Sequence, residues 1–128
     1  MRATLSDGRS VRSGVPSGAS TGSREAVELR DHDENRYSGS GVQQAVAHVN
    51  GAIADAVTGH SFASLRQVDD ALRGLDGTAD KSRLGANAIV GASMAAAQAF
   101  ALESGQPLWR WLTPDGCFRG YRCRTSTF

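Results

Sequence analysis

The amino-acid sequence predicts an α+β fold in which a short antiparallel sheet is followed by a layer of helices. Two short stretches with strand character surround an Asp7-Gly8 dipeptide near the start of the 128-residue chain. A loop of small and hydroxyl-bearing residues comes next, and after it the apolar residues recur every three or four positions. Because strand and helix signals are segregated rather than alternating, the pattern favours α+β over a parallel α/β fold.

The predicted strands cover residues 3–5 and 10–15, with Asp-Gly as the hairpin signal between them. The strand at residues 3–5 begins almost at the initiator Met, so we expect that the strand that would precede it in the sheet is missing. A two-stranded hairpin needs something to pack against. Residues 17–22, Ser-Gly-Ala-Ser-Thr-Gly, which we call the Ser/Gly loop, contribute little to a core and are predicted to be a loop.

Helical signals begin with one expected turn at residues 25–30. The first long helix is predicted at residues 42–57, whose apolar residues recur at three- and four-residue spacing. The next helix follows Ser64, a predicted N-cap, and ends at the Asp-Gly-Thr turn of residues 76–78.

The segment at residues 86–103 is apolar on nearly every side and rich in alanine, so it is predicted to be the central helix. Its polar interruptions make it a buried helix rather than a membrane span. Pro107 suits the start of a short final helix at residues 108–112. Residues 113–128 show neither period, which predicts a second, unrelated segment that is disordered or frame-shifted.

Composition excludes several classes of function. The net charge is +1, from 14 basic and 13 acidic residues that are interspersed, so neither nucleic acid nor an anionic membrane is an expected partner. Three arginines in the tail keep open a basic tail for nucleic acid, but they are few. The N-terminus has no apolar signal core. Cys117 and Cys123 lie in the tail and match no zinc signature.

The Ser/Gly loop offers backbone amides that suit an anion and hydroxyl and carbonyl oxygens that suit Mg²⁺. It does not match the phosphate-binding Gly-x-x-x-x-Gly-Lys-Ser/Thr pattern. From its residues alone, a flexible connection is the better interpretation. An acidic run is expected to be a solvated face, and the three histidines are scattered without metal spacing. The run comprises Glu25, Glu28, Asp31, Asp33 and Glu34, and the histidines are His32, His48 and His60.

Three ordered motifs resemble the enolase family. They are Val-Pro-Ser-Gly-Ala-Ser-Thr-Gly at 15–22 with Glu-Ala-Val-Glu-Leu-Arg-Asp at 25–31, Leu-Asp-Gly-Thr at 75–78 with Lys-Ser-Arg-Leu-Gly-Ala-Asn-Ala-Ile at 81–89, and Pro-Leu-Trp-Arg-Trp-Leu at 107–112. The resemblance covers residues 2–112 and implies the family's N-terminal domain, a three-stranded meander with helices that precedes a larger α/β barrel.

The resemblance also implies a reaction. Enolases of glycolysis dehydrate 2-phosphoglycerate to phosphoenolpyruvate at a barrel site with two Mg²⁺ ions and a lysine base, a pairing for which the enolase superfamily is itself the standard example. The N-terminal domain supplies a loop that closes over the substrate and excludes water. By motif position, Ser20 would bind the second Mg²⁺ through its hydroxyl and carbonyl oxygens, and Gly18 and Ala19 would lie against the substrate.

The chain also departs from the family pattern. The family's opening strand has no counterpart before Arg2, His32 stands where Gly is usual, and Ser40 stands where Lys is usual. Nothing after Leu112 resembles the barrel, whose carboxylate ligands, base lysine and acid glutamate have no counterpart here. We therefore expect a truncated enolase N-terminal domain over residues 1–112, without a barrel domain and with no catalytic residue of its own.

Two functions follow from these expectations. In the first, the chain is an enolase fragment that supplies only the active-site loop and is inactive alone, so whether it is itself an enzyme stays open. In the second, it is a non-catalytic module that associates with an enolase barrel domain or a full-length enolase subunit. The missing signal and the glycolytic resemblance together predict a cytoplasmic location, with no membrane partner.

Overall fold

The computed structural model of the chain describes residues 1–18 and 22–113. It shows a hairpin followed by helices, which confirms the predicted α+β class, and the described residues contain no barrel. Most of the predicted tail, residues 114–128, lies outside the described part of the chain. No helix of the described residues is both long enough and apolar enough to cross a membrane.

The sheet of the described residues has two antiparallel strands, β1 (Arg2–Thr4) and β2 (Ser10–Arg12), with Ala3 opposite Val11. β1 is as long as predicted but begins one residue earlier, whereas β2 is shorter than the predicted strand at residues 10–15. Leu5 belongs to the turn, where its N–H donates to the carbonyl of Arg9 at 2.8 Å. Residues 14 and 15 extend past the end of β1 in this register and so have no partner in it. Gly8 has φ +86°, a value that the predicted Asp-Gly turn requires.

The first helical region runs from residue 43 to residue 57, close to the predicted range. It comprises α1 (Gln43–His48), a wider π-helical turn (Val49–Ile53) and α2 (Ala54–Val57). The backbone stays in the right-handed helical region at His48, Val49 and Ala54, so the chain axis continues across the wide turn. The sequence pattern shows the apolar face of this region but does not reveal that one turn is π-helical, with one more residue than an α-helical turn.

The next helix along the chain, α3 (Leu65–Asp76), has the predicted ends. Ser64 is its N-cap, because its hydroxyl accepts a hydrogen bond from the Gln67 N–H at 3.4 Å. Gly77 ends the helix with φ +72°, a left-handed conformation that glycine adopts without steric cost. The predicted stop at the Asp-Gly-Thr turn is confirmed.

The third helix, α4 (Ala86–Glu103), is the central helix, as predicted. It packs against α3, against both strands of the hairpin and against the short helix α5 (Leu108–Trp111). Its small residues allow close approach: a Cβ at Gly91 would lie 3.2 Å from Val15 Cγ2. Pro107 precedes α5 as its N-cap residue. The core between these helices is lined mainly by Ala45, Ile53, Val68, Leu72, Leu84, Ala88 and Ala92.

Two hydrogen bonds fix the hairpin on α4. The buried Ser13 hydroxyl donates to the carbonyl of Gly91 at 2.8 Å, and Arg9 Nη1 donates to the carbonyl of Leu102 at 3.2 Å. The first contact lies near the middle of α4 and the second at its C-terminal end, where a cation is also favoured by the helix dipole. The hairpin, which is too small to be stable alone, therefore packs along the helix.

The predicted helical turn at residues 25–30 is wrong: residues 26–30, which we call the extended segment, form neither a helix nor a turn. The reason is tertiary hydrogen bonding. The Val27 N–H donates to the carbonyl of Asp80 at 2.7 Å, and the Val27 carbonyl accepts from the Ala86 N–H at 2.8 Å. Backbone groups that pair with another segment are not free for i to i−4 helical bonds.

Candidate functional site

A cavity of about 550 Å³ lies between the hairpin, α1 and the first half of α4. Its apolar wall includes Val15, Val42 and Val49, and its charged and polar lining comes from β1, the start of the Ser/Gly loop, the extended segment and the helices. An apolar wall with a few polar groups is typical of binding clefts. The polar and charged lining residues are Arg2, Ser17, Glu28, Arg30, Asn50 and Asn87.

Of the predicted site residues, Gly18 is described and it is exposed. It follows Ser17, whose hydroxyl donates to the Gly18 carbonyl at 3.4 Å. Ala19 and Ser20 lie outside the described residues. The structure therefore places Ser17, the residue before Gly18, in the lining of the cavity, and the predicted contacts of Gly18, Ala19 and Ser20 stay predictions.

Arg30 connects the start of the Ser/Gly loop to the rest of the domain. Its Nη2 donates to Ser17 Oγ at 3.0 Å and to Glu28 Oε1 at 2.5 Å, and its Nη1 donates to the carbonyl of Ser40 at 2.7 Å. A guanidinium presents its N–H groups in a rigid planar fork, which allows one side chain to serve several acceptors. The sequence pattern by itself predicts no role for Arg30, although this residue lies within the motif at residues 25–31.

Asn87 holds the extended segment in place. Its Nδ2 donates to the Leu29 carbonyl at 3.0 Å, and its Oδ1 accepts from the Leu29 N–H at 3.3 Å. Gly85 makes room for this contact, because a Cβ at that position would lie 2.6 Å from both Leu29 Cβ and Asn87 Oδ1. As a result, Glu28 and Arg30 project from a backbone that is hydrogen-bonded on both sides. A polar residue in an otherwise apolar helix is the sequence signal for such a contact.

A buried carboxylate organises the turn that leads into α4. Asp76 is only 1% exposed, and it accepts from the Thr78 hydroxyl, from the Thr78 N–H at 3.0 Å and from the Leu84 N–H at 2.8 Å. Burial alone would raise the pKa of Asp76, but the hydrogen bonds of Thr78 and Leu84, together with the charge of Lys81, lower it below the ordinary value. Lys81 in turn donates to the Thr78 carbonyl at 2.7 Å. This second family motif is thus architectural.

The acidic run has one member with a defined structural role. Asp31 caps α1, since its carboxylate accepts from the N–H groups of Gln43 at 2.7 Å and Gln44 at 2.9 Å. The hydrogen bonds from Gln44 and Gln43 hold the pKa of Asp31 below its ordinary value. Gly41 fits beside it, because a Cβ there would lie 2.5 Å from Asp31 Oδ2. The other acidic residues, except the partly buried Glu28, are exposed as expected.

The described residues do not form a complete Mg²⁺ site. They contain no group of three or more His, Cys, Asp or Glu side chains that could hold a metal ion. Mg²⁺ prefers an octahedral shell of oxygen ligands, usually with one or two carboxylates. The hydroxyl and carbonyl of one loop residue would fill only part of that shell, so any Mg²⁺ contacted by this loop needs further ligands from elsewhere.

Comparison with known protein families gives an independent result. The model of one family, described as "Enolase, N-terminal domain", matches residues 1–112. The matched range contains the hairpin, the Ser/Gly loop, the extended segment with Arg30, and all five α-helices of the described residues.

Proposed function

This chain belongs to the enolase N-terminal domain family, and on that premise we propose that its Ser/Gly loop is the active-site lid of an enolase. In this proposal the lid closes over 2-phosphoglycerate that a barrel domain binds, and the loop excludes water while the substrate is dehydrated to phosphoenolpyruvate. Residues 1–112 are the functional unit, residues 113–128 are a separate tail, and the location is cytoplasmic.

One observation carries the proposal: Gly18 is exposed and directly follows Ser17, which lines the cavity and is attached to the folded domain by Arg30. A lid needs a fixed base and an accessible contact surface. Gly18 and Ala19 would lie against the substrate, where the absence of larger side chains permits close backbone approach. The extended segment and α4 provide the fixed base through Asn87 and Leu29.

We further propose Ser20 as the residue that contacts Mg²⁺, through its hydroxyl and carbonyl oxygens. The metal, when bound, would stabilise negative charge that develops on the substrate. Because the described residues do not fit a complete site, the remaining ligands are assigned to the barrel domain. This chain's own contribution is therefore to orient the substrate and to exclude water.

The test combines the chain with an enolase barrel domain that was prepared without its own N-terminal domain. Phosphoenolpyruvate formation from 2-phosphoglycerate and Mg²⁺ is followed by ultraviolet absorbance. We expect no product from the chain alone and a clear gain when chain and barrel are mixed. Ser20→Ala should lower that gain by about tenfold or more, because a metal contact is lost.

The matched control is Ser23→Ala, which removes a hydroxyl at an exposed position just beyond the loop. It should leave the mixture as active as the unaltered chain does. Product formation by the chain alone would disprove the assignment of the chemistry to the barrel. A Ser20→Ala chain that restores full activity would disprove the role of Ser20.

The second candidate is a non-catalytic interaction module. It is favoured by exposed apolar side chains on α4, on α1 and directly before α1, namely Val90, Met94, Val46 and Val42. A full-length enolase would then bind the chain without a change in turnover, which light scattering and an activity assay measure together. Val46→Glu should abolish such a complex, whereas Ala47→Glu, at an exposed neighbour that does not line the cavity, should not. Lack of any complex would remove this candidate.

A further inference from the structure

We propose that Arg30 is a positioning residue that sets the conformation of Gly18 through Ser17. The proposal rests on the proposed function only in treating Gly18 as a substrate contact. The structural part, that Arg30 orders the start of the Ser/Gly loop, depends on the contacts of the described residues alone.

The connection runs through one hydroxyl group. Ser17 Oγ accepts the hydrogen bond from Arg30 Nη2 at 3.0 Å and donates its own proton to the Gly18 carbonyl at 3.4 Å. The donor is charged, and hydrogen bonds from charged donors are stronger than those between neutral groups. Orientation of the Gly18 peptide therefore depends on where Arg30 holds the Ser17 hydroxyl.

Ser17 has little else to hold it. Its side chain is exposed, whereas Val15, two residues earlier, packs against Gly91 of α4. In the described part of the loop, the Arg30 bond is thus the last side-chain attachment to the folded domain before Gly18. The described chain resumes at Gly22, whose carbonyl accepts from the Glu25 N–H at 3.1 Å in a local turn.

Arg30 is itself fixed, which is what a positioning residue requires. Its side chain is 25% exposed and lies between the Glu28 carboxylate and the Ser40 carbonyl. The preceding residue, Leu29, is held on both backbone groups by Asn87 of α4. Through Asn87, Leu29 and Arg30, the start of the loop is therefore held at a fixed place relative to α4. A lysine has a single ammonium group and cannot reproduce the planar fork.

The test measures backbone order by ¹⁵N relaxation of the full-length chain. In the unaltered chain we expect the amide order parameters of Ser17 and Gly18 to be near that of rigid backbone, about 0.8. In Arg30→Gln and in Ser17→Ala they should fall below about 0.6, the range of flexible backbone. Order parameters in α3 should not change, which separates a local effect from general loosening.

Two further variants make the test specific. Arg36→Gln is the matched control, because Arg36 is an exposed arginine that stacks on the Tyr37 ring at 5.5 Å. It should leave Gly18 as ordered as in the unaltered chain. The double variant Arg30→Gln with Ser17→Ala should be no more disordered at Gly18 than either single variant, because both remove the same connection.

An unchanged order parameter at Gly18 in Ser17→Ala would overturn the proposal. Because this variant removes only one exposed hydroxyl, it should stay folded even where Arg30→Gln unfolds. An additive double variant would also overturn it. If the mixture with the barrel shows no hydratase activity while Gly18 loses order in both single variants, the positioning role stands and the proposed function fails. The two ideas are therefore tested separately.

Discussion

Asn87 on α4 and Leu29 in the extended segment form a two-way contact, in which one amide side chain bonds both the N–H and the carbonyl of one residue, at 3.3 and 3.0 Å. Paired β-strands bond the N–H and the carbonyl of one residue in the same way, but here the partner is a side-chain amide on a helix. The contact fixes the segment that carries Glu28 and Arg30, and so it connects the helical layer to the candidate site.

Asn87→Ala is expected to destabilise the domain by about 2 kcal/mol, because it leaves two partly buried backbone groups of Leu29 without a partner. Urea unfolding followed by circular dichroism measures the change. Ser93→Ala, a small polar-to-apolar change in the same helix, is the matched control and should stay within about 0.5 kcal/mol. Equal effects of the two substitutions would contradict the role of Asn87.

Gly85→Ala should lower the free energy of unfolding by more than the replacement of a glycine that has a positive φ but free space around it. Gly85 has φ +91°, and its added Cβ would lie 2.6 Å from Leu29 Cβ. Gly59 has φ +77° but nothing within 4 Å of an added Cβ. Gly59→Ala thus carries only the conformational cost, about 1–2 kcal/mol, whereas Gly85→Ala adds a steric clash and should exceed it by about 1–3 kcal/mol in thermal or urea unfolding. A smaller effect at Gly85 than at Gly59 would contradict the packing.

Asp76 predicts a dependence of stability on pH. Its pKa is lowered in the folded protein relative to the ordinary Asp value of 3.8. Since the unfolded chain binds the proton more tightly, the stabilisation is present above pH 3.8 and is lost as the pH falls through the lower, folded-state pKa. The free energy of unfolding should therefore fall on acidification below about pH 4.

Asp76→Asn should lower the free energy of unfolding at pH 7 by about 2–3 kcal/mol, because a neutral amide replaces the buried carboxylate that accepts from the Leu84 N–H. It should also reduce the loss of stability in acid, because the titrating group is removed. Urea titrations at several pH values between about 7 and 3 provide the measurement. Asp55→Asn, which makes the same change in charge at an exposed position in α2, is the control. An acid response that is as steep in Asp76→Asn as in the control would argue against Asp76 as a source. Asp31 contributes in the same direction, so part of the response should remain.

His32→Gly is expected to stabilise the protein by about 0.5 kcal/mol or more. His32 has φ +56°, in the left-handed region that costs an L-residue about 1–2 kcal/mol and glycine much less. The bond from the His32 N–H to the Gly39 carbonyl at 3.0 Å uses the backbone and is retained. His60→Gly, at an exposed histidine without positive φ, should be neutral or destabilising. A loss of stability in His32→Gly would show that the histidine side chain matters in itself.

The sequence was sufficient for the two longest helices, α3 and α4. Residues 65–76 and 86–103 carry apolar spacing, an N-cap at Ser64 and a stop at Gly77, and the structure has helices with those bounds. These signals are local, since capping and helical periodicity act within a few residues. The hairpin and the order of elements follow from the same kind of local signal, although the first strand is shifted by one residue and the second is shorter than predicted.

The candidate site was only partly predictable. The motif locates the Ser/Gly loop, but for Arg30, which holds the first residue of the loop, the sequence predicts only a place in a helical turn and in a family motif. Its partners Ser17 and Ser40 are 13 and 10 residues away along the chain, too far for a helical or turn spacing to reveal. A side chain with such partners acquires its role from the fold, and no periodicity signals it.

The sequence alone determined the family's motifs, the α+β order and the boundaries of α3 and α4, because each depends on residues that are near neighbours in the chain. The tertiary structure decided that residues 26–30 are extended rather than helical. The partners of that segment, Asp80, Ala86 and Asn87, lie more than 50 residues further on, and Asn87 meets Leu29 across a separation of 58. Those hydrogen bonds exist only in the tertiary fold, where the start of α4 lies beside this segment, and they satisfy its backbone in place of a helix.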